Sequence, residues 1–373
     1  MTDASKATVS AYCSPPATPF VDAASNVTTI SRFDEPSIKP NLEGYMANVR
    51  WGLLSTADIN KDLIPAIRAS ERGALVAVAS RSQEAATAYA KKWEIRTAFS
   101  SYQEMLDSNE VDAVYIGLPN HLHAEWTVKA LQSGKHVLCE KPFALTVEEV
   151  DAMIAARNAS GLVLAEAFMY RHHPQTKLAQ QWIRDGRLGD VSLVRAVHCY
   201  KMSQRDGNIR LTPEFGGGSL WDVGVYPVSF VQMVMGGPPE RVSAEQFIGE
   251  TGVDEVFTGQ LHYADDKLAQ ISSSFINPSH TLVEVFGTEG RLSLNRPFVR
   301  MDDGREMLFH GVDGSSKEVV VPETPLYLGE VEDMNAAILD GAPSFLALEE
   351  SRNHVRTVVA LYEAARTGTI VTL

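Results

Sequence analysis

The chain has little cysteine, an excess of acid over base, and no long apolar run. Its three cysteines, Cys13, Cys139 and Cys199, cannot form a paired framework and show no metal-ligand spacing, which points to a reducing compartment. Lysine and arginine total 33 against 47 acidic side chains, a formal charge of -14 with no basic cluster, which argues against a nucleic-acid partner and for a small ligand. No segment approaches the roughly 18 uncharged apolar residues of a membrane span. A basic n-region followed by an apolar stretch is also missing, so the expected compartment is cytoplasmic.

What is present is length and alternation. At 373 residues the chain exceeds what one core usually serves, so two domains and a short extra segment are expected. Residues 1–48, with stretches such as "SPPATPFVDAASNVTT", carry no periodicity and read as an N-terminal arm, either a disordered tail or a segment that packs on a partner subunit. From residue 49, continuous apolar strands ("VRWGLLS", "ALVAVAS", "DAVYIGLP", "HVLCEKP", "LVLAEAFM") alternate with helices, the pattern of a doubly wound parallel sheet in an α/β fold. After about residue 190 the texture changes to half-buried strands joined by hairpin turns such as "ADDK" and "GTEG", an antiparallel sheet. The amphipathic helix "LEESRNHVRTVVALYEAARTG" closes the chain at a glycine. The domains expected are 49–170 and 171–373.

A dinucleotide fold places a glycine-rich turn after its first strand, and here Ser55-Thr56-Ala57-Asp58-Ile59-Asn60 stands in its place. Small residues at Ser55 and Ala57 still let a pyrophosphate approach the helix N-terminus, with the Ser55 and Thr56 hydroxyls as donors; an ordinary strand-to-helix turn is the alternative. The second strand ends in Ser80 and Arg81 with no Asp or Glu to meet ribose hydroxyls, which favours the 2'-phosphate of NADP over NAD unless Arg81 is merely a solvated cation.

In "HVLCEKPFAL", residues 136–145, Glu140 and Lys141 stand at the carboxyl end of a strand, where open α/β sheets bind ligands. Lys141 there can polarise a substrate oxygen, with Glu140 orienting it and the following proline fixing the backbone; otherwise the two are a surface ion pair. Leu118, Asn120, His121 and His123 in "GLPNHLHAEW" sit at another strand end of the same crevice, suited to capping and ligand hydrogen bonds more than to zinc. Arg171 follows in "EAFMYRHHP". In "GGGSLWDVGVYP", residues 216–227, Asp222 and Tyr226 stand four apart and share a face if the stretch is helical. A tyrosine is a useful proton carrier only beside a cation, and Lys141 could be that cation; a core aromatic is the plainer reading of Tyr226.

These motifs resemble the glucose-fructose oxidoreductase/inositol dehydrogenase (Gfo/Idh/MocA) family. The resemblance covers residue 49 to the C-terminus and is carried by "CEKPFAL", "PNHLH", "EAFMYRHHP" and "GGGSLWDVGVYP". It is greatest with the branch of dimeric dihydrodiol dehydrogenases, NADP-dependent D-xylose dehydrogenases and glucose-fructose oxidoreductase. It implies a Rossmann domain followed by an α+β domain with an open-faced, mostly antiparallel sheet that pairs subunits, as a homodimer or a dimer of dimers. It also implies a catalytic couple of Lys141 and Tyr226 with Asp222 beside them, and an N-terminal arm that can cover NADP in a neighbouring subunit. No twin-arginine signal precedes that arm, so periplasmic export is not implied. The expected activity is hydride transfer between NADP and a cyclic sugar, at C1 of an aldose, with Arg171 and Tyr327 near the nicotinamide or substrate. A trans-dihydrodiol or dicarbonyl reductase and a non-catalytic NADP sensor are the alternatives.

Overall fold

A computed structural model describes residues 48–299 and 304–373; the expected N-terminal arm and Cys13 lie outside them. Short apolar strands alternate with helices through the first half: β1 Val49–Leu54, α1 Asn60–Ala69, β2 Gly73–Ala79, α2 Gln83–Lys92, β3 Thr97–Phe99, α3 Tyr102–Asp107, β4 Ala113–Ile116, α4 His123–Gln132, β5 His136–Glu140, α5 Val147–Ser160 and β6 Leu164–Ala167. Strands β1 and β4 are buried at almost every position, as strands covered on both faces must be. The six pair in the order β3-β2-β1-β4-β5-β6, all parallel. That order reverses between β1 and β4, so a ligand crevice forms beyond the carboxyl ends of these strands.

Two helices, α6 Met169–His172 and α7 Pro174–Arg184, lead into the second sheet. It takes β7 Val191–Cys199, helix α8 Val225–Met235, β8 Arg241–Ile248, β9 Asp254–His262, β10 Leu268–Ser274, β11 His280–Gly287, β12 Gly290–Asn295, β13 Glu306–Gly311 and β14 Ser316–Glu318. Nine strands pair in the order β14-β13-β12-β11-β7-β10-β9-β8-β15, the last being Val371–Thr372. The sheet is antiparallel except where β10 runs parallel to β7. Both expected hairpins form: β9 and β10 meet through "ADDK", where Asp265 and Asp266 take positive φ, and β11 and β12 meet through "GTEG". The fold is therefore the α/β class with a Rossmann sheet followed by a mixed, mostly antiparallel one.

Helices α9 Leu328–Asp340 and α10 Leu348–Thr367 turn back onto the six-stranded half. The indole N–H of buried Trp51 on β1 donates to Asn335 Oδ1 on α9 at 3.0 Å, and Arg352 on α10 donates to Asp151 on α5 at 2.6 Å. Helix α10 ends where Gly368 adopts φ 65°, a left-handed cap that glycine takes without strain. Among the described residues no helix is long and apolar enough to cross a membrane.

Candidate active site

Lys141 follows the last residue of β5, so the parallel sheet delivers its side chain to the crevice. Its ammonium donates to the Asp222 backbone oxygen at 2.6 Å and to Asp222 Oδ1 at 3.1 Å. Asp222 lies on a π-helical turn, Leu220–Gly224, that runs directly into α8. Such turns insert a residue into a helix and re-aim its side chains, and they recur at functional sites. The other carboxylate oxygen, Oδ2, accepts from Arg210 Nε at 2.9 Å and from the Tyr200 hydroxyl at 3.0 Å.

The Lys141 and Asp222 side chains are only 11% and 13% exposed, so this is an interior ion pair with a second cation attached. Burial pushes the Asp222 carboxyl upward, but Lys141 and Arg210 together with the donated hydrogen bonds outweigh it, leaving the pKa well below the ordinary carboxylate value. Asp222 raises Arg210 in return. The Lys141 ammonium also stands 5.2 Å from the centroid of the Tyr226 ring, in cation–π range. One lysine thus joins two groups from the turn and the helix after it.

Tyr226 is walled by rings: Phe168 at 5.6 Å, His198 at 5.3 Å and Phe298 at 5.7 Å between centroids. Its hydroxyl approaches Met169 Sδ at 3.6 Å, a weak acceptor. Burial drives the His198 pKa down to about 3, so its imidazole is neutral at any working pH. Its Nδ1 is buried with no hydrogen-bond partner among the described residues. His198, Tyr200 and Arg210 are functional candidates that the sequence motifs did not reveal. Strand alternation places His198 and Tyr200 on one face of the β7 segment, which is a readable signal; Arg210, in the loop before the π-helical turn, gives none.

The nucleotide side corrects one expectation. The Ser55 hydroxyl donates to the Gly117 carbonyl at 3.0 Å and accepts from Ala57 N–H at 3.2 Å, so it ties the end of β1 to the end of β4 and has no proton left for a phosphate. Thr56 and Ala57 are half-buried on the turn that opens α1. At the end of β2, Ser80 is buried and Arg81 exposed, and among the described residues no carboxylate pairs with Arg81. The donor set there is a hydroxyl and a free guanidinium. That suits a phosphate.

Other expected residues face inward. His123 is fully buried, with Nε2 2.8 Å from the Leu118 carbonyl and Nδ1 2.7 Å from the Pro142 carbonyl. Burial outweighs those two contacts and lowers its pKa, so the neutral ring donates to one carbonyl at a time and braces two strand ends, with no atom turned to a ligand. Asn120 donates to the Gly216 carbonyl at 2.9 Å, and His121 stacks on Phe215 at 4.7 Å, so the turn after β4 is fastened to the glycine-rich loop before Asp222. Arg171 is buried and pairs with Glu350 at 3.0 Å and Ser229 at 3.3 Å, in the interior between α6, α8 and α10. Glu140 accepts from the Tyr115 hydroxyl and from the Lys141 backbone N–H. Tyr327 is buried at the N-terminus of α9, within electrostatic range of Tyr115. Among the described residues no group of three or more His, Cys, Asp or Glu side chains is arranged to hold a metal ion.

Residues 49–168 match the family described as "Oxidoreductase family, NAD-binding Rossmann fold", and residues 176–293 match its GFO/IDH/MocA C-terminal domain. A D-xylose 1-dehydrogenase (NADP(+)) from Haloferax volcanii is 37% identical over 87% of this chain and 99% of its own length. The chain belongs to the Gfo/Idh/MocA oxidoreductase family. A second family member, the trans-1,2-dihydrobenzene-1,2-diol dehydrogenase of Xenopus tropicalis, is 33% identical over 66% of this chain and 74% of its own. Among solved structures, the aldose-aldose oxidoreductase of Caulobacter crescentus, complexed with glycerol, superimposes with a TM-score of 0.81 at 25% identity, covering 87% of this chain and all of that one.

Proposed function

We propose that this Gfo/Idh/MocA protein is an NADP-dependent dehydrogenase that oxidises a cyclic aldose at C1 to the lactone, and that Lys141, Tyr226 and Asp222 carry the proton chemistry. The observation that carries the reading is the Lys141 ammonium, held by Asp222 and set against the Tyr226 ring at the carboxyl end of a parallel strand. NADP fits the donor chemistry at the end of β2, where Arg81 and Ser80 meet no acidic residue, and the Haloferax volcanii relative is itself described as NADP(+)-dependent. Bound NADP would supply the nicotinamide that accepts hydride.

The chain's own part is to hold the sugar and manage one proton. Tyr226, reacting as the phenolate, takes the proton from the substrate hydroxyl and becomes the phenol; the thioether beside its oxygen is a weak partner that a sugar oxygen can displace. Lys141 stabilises the negative charge on the tyrosine oxygen before the transfer and on the substrate oxygen as its proton leaves. Asp222 stays ionised at working pH and already receives three donors, so its role is to aim the lysine and not to transfer a proton. The Nδ1 of His198, without a partner among the described residues and on a ring beside Tyr226, is a candidate acceptor or donor for a sugar hydroxyl. These polar groups favour a polyhydroxyl substrate. The aromatic wall of Phe168 and Phe298 favours the rival reading, oxidation of a trans-dihydrodiol, which a relative's name also indicates. Cytoplasmic location and assembly as a homodimer or a dimer of dimers belong to the same proposal.

Incubating the protein with a panel of aldoses and with a trans-dihydrodiol, each with NADP or NAD, decides between these readings. Reduction of NADP by aldoses is the expected result. Turnover of the dihydrodiol alone overturns the substrate, and no turnover with either overturns the enzyme.

A further inference from the structure

Asp222 reaches Lys141 only because the π-helical turn presents it there, and the start of that turn is held from a distant strand. Asp254, the first residue of β9, is 2% exposed and aims its carboxylate at this point. Its Oδ2 accepts the Leu220 backbone N–H at 2.8 Å and the Ser219 hydroxyl at 2.8 Å, while its Oδ1 accepts the Tyr362 hydroxyl from α10 at 2.7 Å. Ser219 has one proton and gives it to Asp254, so Ser273, 2.9 Å away, must be the donor in the Ser219–Ser273 contact. The first N–H groups of a helical turn lack partners of their own, and a carboxylate is the strongest acceptor for them.

The backbone is shaped around this carboxylate. Gly218 has φ 123°, and a Cβ there would sit 2.1 Å from Asp254 Oδ1 and 2.7 Å from the Tyr362 hydroxyl. The Asp222 N–H donates to the Gly218 carbonyl at 3.0 Å, so the same glycine that makes room for Asp254 also begins the turn that carries Asp222.

We infer that Asp254 is a positioning residue for the reaction: by holding Ser219 and Leu220 it sets where Asp222 stands and therefore where Lys141 points, with Tyr362 locking it to α10. The inference rests on the reading of Asp222 as the residue that aims Lys141. The hydrogen bonds of the Asp254 carboxylate come from Ser219, Leu220 and Tyr362, so its effect on the reaction runs through the turn that carries Asp222.

The test is a cycle of Asp254→Asn, Asp222→Asn and the double substitution, with kcat and KM for the best aldose, NADP binding by fluorescence and melting temperature for each. Asp254→Asn should lower kcat at least about tenfold, the scale of a small misplacement of a reacting group, with NADP affinity within about twofold of wild type. The double variant should be no slower than Asp222→Asn by more than about twofold, because both act on one group. Wild-type kcat in Asp254→Asn, or losses that multiply in the double variant, overturns the inference while leaving the active-site reading intact. Wild-type kcat in Asp222→Asn instead removes Asp222 from the reaction and the inference with it. Should Asp254→Asn fail to fold, Ser219→Ala takes its place in the same cycle, with a smaller kcat loss expected under the same rule and unchanged kcat counting against the inference.

Discussion

Lys141 and Glu140 are neighbours in sequence, yet they serve two acidic clusters with opposite electrostatics. On the Lys141 side, Asp222 is buried between two cations and is held well below the ordinary carboxylate range. On the Glu140 side, Glu330 on α9 is 1% exposed, has both oxygens without a partner among the described residues, and is raised well above that range by burial and by the charge of Glu140. The Tyr115 hydroxyl, which donates to Glu140, is raised likewise. Burial alone pushes a carboxyl toward its neutral form, and at Asp222 two cations at contact distance, with the hydrogen bonds donated to it, reverse the sign. The first cluster is an anion between two cations; in the second, burial and a neighbouring acid favour the protonated form.

Removing the cation breaks the contrast most directly. Lys141→Met should cut kcat at least about a hundredfold, the size of general acid–base assistance, and should lower the melting temperature because Asp222 keeps only one cation, Arg210, beside the Tyr200 hydroxyl. Unchanged turnover with reduced thermal stability would make the lysine structural. Tyr226→Phe keeps both clusters and removes one hydroxyl; kcat should again fall about a hundredfold with NADP affinity nearly unchanged, as steady-state rates and cofactor titration would show. Arg81→Ala touches neither cluster and separates cofactor recognition from chemistry. The ratio of NADP to NAD preference in kcat/KM should fall roughly ten- to a hundredfold, and equal losses for both cofactors would give Arg81 a structural role.

The smallest effect sharpens the other side. Because the Glu330 pKa is raised in the folded state, its contribution to stability is complete below the unfolded carboxylate pKa, near about 4.3, and is lost as pH rises toward the folded value. Glu330→Gln removes that loss. Its melting temperature relative to wild type should therefore climb by a few degrees between about pH 4 and pH 8. A difference that stays flat across this range would mean Glu330 is ionised in the fold.

Which features were legible follows the same division between local and distant causes. The parallel sheet could be read from its apolar strands, the hairpins from "ADDK" and "GTEG", and the stop at Gly368 from one glycine. The spacing of Asp222 and Tyr226 suggested one helix face, but the structure places Asp222 on a π-helical turn, a geometry with no sequence periodicity of its own. Ser55 looked available to a phosphate because its bond to Gly117 is made across the sheet, 62 residues away. Arg171 looked like a cofactor contact for the same reason, since its partner Glu350 lies 179 residues further on. Lys141 was legible from its place at a strand end and Asp222 and Tyr226 from their spacing, while their expected role as a catalytic set came from the resemblance. Tyr200 was missed although strand alternation marks it, and Arg210 and Asp254 were missed because their significance exists only once β9 and the glycine-rich loop converge on one turn.

Aldose oxidation with NADP is the reaction proposed for Lys141, Asp222 and Tyr226. Its most direct measurement is the rate at which reduced nicotinamide appears when wild type and Tyr226→Phe, both shown to bind NADP equally, are mixed with the aldose that wild type turns over best. The account predicts rapid reduction by wild type and a rate lower by about a hundredfold in the variant. Equal rates in the two proteins would contradict it.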